Sequence, residues 1–216
     1  EISMAVVAEK HKTAYDLIAE GAEIKPKATY RSFDESTAED WAAIITHNQE
    51  VPDSSVLELC LDHLERLKSP QPASPVDRYE HSLQTTSRAW RDGHDGDGQY
   101  IAAALLHDIG DFFAPHNHGE FCASVLKPYV RPEIYWLVKH HELGQGYHFF
   151  HHLGADRNAR EKVRAHPYAE LCFDFCDKYD QTAFDPDYDT MPLDAFMPSL
   201  QRVFERPLRE TEPQDD

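Results

Sequence analysis

The stretch IAAALLHDIGD, Ile101–Asp111, decides the fold. Six consecutive apolar residues lead into His107 and Asp108, two cation-binding side chains that are costly to bury without a partner. The run is far below the ~18 apolar residues that a membrane span needs, so it reads as a core helix. Its end offers an imidazole and a carboxylate side by side. Both can sit on one metal ion, and the second carboxylate oxygen is then left to bridge to another.

Helix patterns continue in both directions. Residues 4–20 are apolar at helical spacing and stop at Gly21, and 21–36 read as a loop or arm. Ser36 or Thr37 caps a helix carrying Trp41, Ile44 and Ile45, and Pro52 and Asp53 open another with a stripe from Val56 to Leu67. SPQPASPVD (69–77) is a linker, and GHDGDG (93–98) a tight turn. Helices are expected over 78–92, 98–109, 117–128, 132–143, 166–184 and 193–205. No alternating strand pattern and no repeat occurs, so the expected class is an all-α helical bundle.

Composition narrows the function. The 216 residues carry 21 Lys+Arg against 39 Asp+Glu, a net charge of −18, which disfavours nucleic acid or an anionic membrane surface as partners. No signal-like or spanning segment is present, so a cytoplasmic location is expected. The four cysteines lack CxxC spacing and read as small buried residues. Fourteen histidines are the informative excess, because histidine is the commonest metal ligand.

Six ligand-type residues fall on the expected helices: His81, His107, Asp108, His118, His141 and Asp180. His81, His107, Asp108 and Asp180 make one site, and His118 and His141 add ligands for a second metal sharing Asp108. A single histidine on an apolar face is commonly a hydrogen-bonded core residue. The ordered set, one or two ligands per helix, is what points to metal.

That order, H…HD…H…H…D, resembles the HD-domain superfamily, and in finer detail its mixed-valence diiron oxygenases, typified by myo-inositol oxygenase and the organophosphonate-cleaving oxygenases. EHSLQTT (80–86), ALLHDIGD (104–111), HGEF (118–121), LVKHHE (137–142) and KYDQTAFDPDYD (178–189) are similar to the ligand segments, and TYR (29–31) to the lid arm. The likeness runs from residue 29 to about 205. It implies an HD-domain core over 78–206, an N-terminal helical arm and lid over 1–77, and a frayed tail over 207–216, all as one structural domain.

The resemblance also implies two iron ions, Fe(II)/Fe(III), one on His81, His107, Asp108 and Asp180, the other on the bridging Asp108, His118 and His141. His140 competes with His141, and Asp177 with Asp180. The implied activity is O2-dependent cleavage of the C–P bond of an α-hydroxy-alkylphosphonate. Asp111, in the place of a basic residue of inositol oxygenase, and the aromatics near Tyr147 suit a trimethylammonium group. They favour 1-hydroxy-2-(trimethylammonio)ethylphosphonate, cleaved to glycine betaine and phosphate. A separate hydroxylase would supply that substrate. Tyr30, Arg31, Gln145 and Tyr147 are the other expected substrate contacts, with Arg157, Arg160 and Lys178 as donors to the phosphonate. The alternatives are an HD-type metal-dependent phosphohydrolase, an inositol-oxygenase-like polyol oxygenase, and a metal-stabilised helical module without catalysis.

Overall fold

The computed structural model describes residues 12–50, 54–205 and 208. Among these residues the chain is helical, with nine α-helices and no strand. It divides into two compact units, Glu1–Pro52 and Asp53–Asp216. The segment 1–77, expected as an arm, therefore contributes to both.

The first unit holds α1 (Ala14–Ala19) and α2 (Ala38–Glu50). Thr13 and Asp16 form a reciprocal capping box at the start of α1, and Gly21 follows its end at φ 70°. Asp40 of α2 accepts from the Thr29 and Thr37 amides and pairs with Lys25, tying the loop onto the helix. Tyr30 stacks on Trp41 with ring centroids 6.3 Å apart. The expected helix over 4–20 is described only from Ala14, and Pro52 and Asp53 lie outside the described residues, as does the tail apart from Leu208.

The second unit is built on α5 (Gly98–Leu106), whose residues from Tyr100 to Leu106 are all buried. Around it lie α3 (Ser54–Glu65), α4 (Arg78–Ala89), α6 (His118–Leu126), α7 (Pro132–Phe149), α8 (Ala169–Phe175) and α9 (Met197–Phe204). Asp97 caps α5 by accepting from the Tyr100 amide and grips Arg131 at the start of α7 through both carboxylate oxygens. On α4, Ser82, Thr85, Thr86 and Ser87 are buried, and each hydroxyl donates to the carbonyl four residues back, so these four hydroxyls enter the core already partnered.

Three boundaries depart from the sequence pattern. Helix α7 runs to Phe149 rather than ending near 143, because Gly144 is a packing residue: a Cβ there would stand 2.8 Å from Cys176 Sγ. The helices expected over 78–92 and 166–184 both change pitch into π turns, Trp90–His94 and Cys176–Asp180. Helix α5 stops at Leu106, so that His107 stands at its C-terminal cap. The four cysteines are buried and unpaired.

Candidate metal centre

The six ligand-type residues reach the same point from five places in the fold. His81 is on α4, His107 and Asp108 follow α5, His118 opens α6, His141 is midway along α7, and Asp180 ends the second π turn. All six are buried. His81 Nε2 lies 3.1 Å from Asp180 Oδ1 and 3.3 Å from His107 Nε2. His118 Nε2 and His141 Nε2 are 3.1 Å apart. Asp108 stands between the two groups: Oδ2 is 3.5 Å from His81, while Oδ1 is 3.2 Å from His118 and 3.3 Å from His141. Two trios have donor atoms all within 4.8 Å of one another, His81–His107–Asp180 and His107–Asp108–His141.

The imidazoles are turned so that Nε2 faces inward. His107 Nδ1 lies 3.0 Å from Ala104 O, His141 Nδ1 2.7 Å from Val138 O, and His81 Nδ1 3.0 Å from Ala183 O. A carbonyl can only accept, so each Nδ1 carries the proton, which leaves Nε2 as the atom able to offer a lone pair to a metal. Several lone pairs and two carboxylates sharing one buried point call for positive charge. Asp180 Oδ2 sharpens this, being buried without a hydrogen-bond partner. The donor set of imidazole and carboxylate without thiolate fits iron, manganese or zinc.

Protonation shows the same demand. Burial alone would raise Asp108, yet His107, His118, His141 and Arg78 hold it well below the usual carboxylate range. Asp180 is likewise held down, against burial, by His107 and His81. His118 is pulled down by burial but pushed up to about 10 by Asp108 and Glu142.

The structure brings His141 into this cluster, while His140 turns its Nδ1 to Trp136 O and stacks on the Trp136 ring. Asp180 likewise enters, while Asp177 binds His148 and Arg160. Beside the cluster lies a cavity of about 750 Å³, lined in part by Arg78, Gln145, His148, Phe149, Gln181 and Phe184. Gln145 donates to Asp180 Oδ1 at 2.7 Å.

The expected substrate residues separate. Asp111 is 3.3 Å from Arg78 Nε and 3.6 Å from His118 Nδ1, so its charge is already engaged. Tyr147 is faced by the Arg157 and Arg160 guanidinium groups at 4.3 and 4.0 Å. Arg160 pairs with Asp177 and Lys178 with Asp174, and neither they nor Arg157 line the cavity. Tyr30 and Arg31 belong to the first unit.

A residue outside those expectations, Arg78, occupies the cavity wall. Its Nη1 lies 3.2 Å from Asp108 Oδ2. Its signal was the i, i+3 spacing to His81, which puts both on one face of α4.

A family model spans the same elements. Residues 78–182 match the HD domain. The match points to a metal-dependent enzyme, and the matched span begins at Arg78 and ends two residues beyond Asp180. No curated protein matches the sequence. Among the described residues no helix is long and apolar enough to cross a membrane.

Proposed function

We propose that this HD domain is a two-metal oxygenase that uses O2 to cleave the C–P bond of an α-hydroxy-alkylphosphonate, with 1-hydroxy-2-(trimethylammonio)ethylphosphonate as the favoured substrate. The observation that carries the dinuclear reading is the division of Asp108, one oxygen toward His81 and the other toward His118 and His141. The choice of oxygen chemistry rests on the sequence resemblance.

On this reading His81, His107, Asp108 and Asp180 would hold one iron, and Asp108, His118 and His141 the other. The pair supplies redox chemistry and activation of dioxygen when bound. The protein's own groups position the substrate. Arg78 has N–H groups beyond the two engaged by Asp108 and Asp111, and its place in the cavity wall suits a phosphonate oxygen. Gln145 and Gln181 offer neutral donors, and the Phe149 and Phe184 rings offer faces to a quaternary ammonium. Tyr147, already stacked under two guanidinium groups, takes no part in that recognition.

The test is metal analysis, electron paramagnetic resonance and oxygen uptake on the purified protein with inositol, 1-hydroxy-2-aminoethylphosphonate and its trimethylammonio analogue. Two irons per chain and stoichiometric phosphate release with O2 consumption are expected. Phosphate-ester hydrolysis on zinc or manganese, without oxygen uptake, would identify the phosphohydrolase instead.

A further inference from the structure

His148 lies three residues beyond Gln145 and seven beyond His141 on α7, spacings that keep all three on one helix face. Its ring forms part of the cavity wall. Its Nε2 is 2.7 Å from Asp177 Oδ1. Asp177 is held from its other side by Arg160, whose Nη1 and Nη2 donate to Oδ1 and Oδ2 at 2.7 and 3.3 Å. Arg160 is only 7% exposed and stacks on Tyr147 and Phe173.

A buried arginine, a carboxylate and an imidazole at the cavity wall thus stand in series, and none of the three is among the six inward donors. Metal binding therefore leaves this chain of contacts unexplained. Its chemistry is legible. Burial would raise Asp177, but Arg160 and His148 outweigh it and keep the carboxylate ionised. An ionised carboxylate at Nε2 fixes the proton there, so Nδ1 carries the lone pair, and Nδ1 has no protein partner among the described residues.

We propose that His148 is the proton-transfer residue of this cavity, oriented by Asp177 and Arg160. Nδ1 takes the proton of a substrate hydroxyl: the O–H bond breaks with its electron pair left on oxygen, an N–H bond forms, and Asp177 stabilises the imidazolium. Return of the proton resets the ring. The proposal rests on the reading of the cavity as the substrate pocket.

The groups that face His148 are Asp177 with Arg160 behind it, the adjacent Tyr147 ring edge-on at 5.4 Å, and Asp77 and Arg78 elsewhere in the cavity wall. Asp77 is tied to the Ser69 and Glu80 amides, and Arg78 to Asp108 and Asp111, so Asp177 is the partner that sets the tautomer.

Nitrogen-15 spectra of the histidine rings in the full metal-loaded protein test this, with His148 assigned from His148→Gln. The Nε2–H tautomer is expected, and added methylphosphonate should shift the ring signal. In turnover, His148→Gln should lower kcat about 100-fold with little change in KM and an unchanged melting curve. Imidazole should restore part of the activity of His148→Gly. An Nδ1–H tautomer, a ring signal indifferent to methylphosphonate, or a kcat within about two-fold of wild type would overturn the assignment. If the wild type turns over no phosphonate, the proposed function fails, and the tautomer and the methylphosphonate shift still decide the role of His148.

Discussion

At the scale of single residues, Asp108 is the critical position, since among the described residues no other carboxylate faces both histidine groups. Asp108→Ala should leave the chain folded and strip it of both metals, seen as loss of bound metal in elemental analysis alongside unchanged helical circular dichroism. Retention of a full metal complement would remove the bridging role. The metal-free cluster also binds protons. Because His118 is raised to about 10, it holds a proton below that pH, and metal must displace it. Metal affinity should therefore increase with pH through the neutral range, with about one proton released from His118 per chain at pH 8. Calorimetry in buffers of different ionisation enthalpy measures that release directly. Much of this site could be read in the sequence, because His107-Asp108 at the end of an apolar run has few other physical explanations. The sequence favours His141 with His140 as its competitor, and the fold separates the two. Both stand on α7, and only the rotation of the helix shows that His140 covers Trp136. Arg157, Arg160 and Lys178 were sensible donors by charge, but Arg160 meets Asp177 seventeen residues away, a partner the sequence hides, while Lys178 pairs with Asp174 one helical turn back, a spacing open to reading.

At the scale of elements, the helix that delivers the His-Asp pair is fixed at its start by Asp97. Burial raises this carboxylate, while Arg131 and the Tyr100 amide more than compensate and hold it below its ordinary value of 3.8. A depressed carboxylate contributes stability that is present above its unfolded pKa and is lost as pH falls through the folded one. Its contribution should therefore be complete at neutral pH and disappear in the acid range below about 4. Asp97→Ala should cost about 1–2 kcal/mol at pH 7, combining cap and ion pair, with the difference from wild type shrinking in acid. Urea titrations at the two pH values check both halves. The second π turn invites a similar test. Tyr179 donates to Asp92 of the first π turn, joining the two irregular segments one residue before Asp180. Tyr179→Phe should cost about 1 kcal/mol and lower metal occupancy, whereas occupancy equal to wild type would show that Asp180 needs no such anchor. Neither π turn was visible as periodicity, since one inserted residue merely shifts the apolar stripe. The end of α7 was misjudged for a different reason: Gly144 looks like a stop signal until Cys176 is seen to occupy the space beside it.

At the scale of the whole molecule, the charge of −18 repels an anionic substrate at long range. Added salt should raise kcat/KM for a phosphonate of net negative charge, and raise it less for the trimethylammonio analogue, whose cation offsets one negative charge. Parallel salt dependence for both would show that local groups such as Arg78 set the approach. The all-helical class was legible from the spacing of apolar residues over long segments. The division at Pro52 was not, because α3 has the same amphipathic stripe whichever unit receives it.

The carbonyls that hold the imidazoles differ in origin, and this sets an order of metal loss. His107 and His141 lean on their own helices, three residues back, whereas His81 leans on Ala183, just past the π turn that carries Asp180. A local opening of residues 176–183 would release Asp180 and unfasten His81 together, leaving His118 and His141 undisturbed on α6 and α7. Gentle chelation should therefore empty the position built on His81 and Asp180 first. A one-metal intermediate should accumulate, with its remaining ion held between α6 and α7.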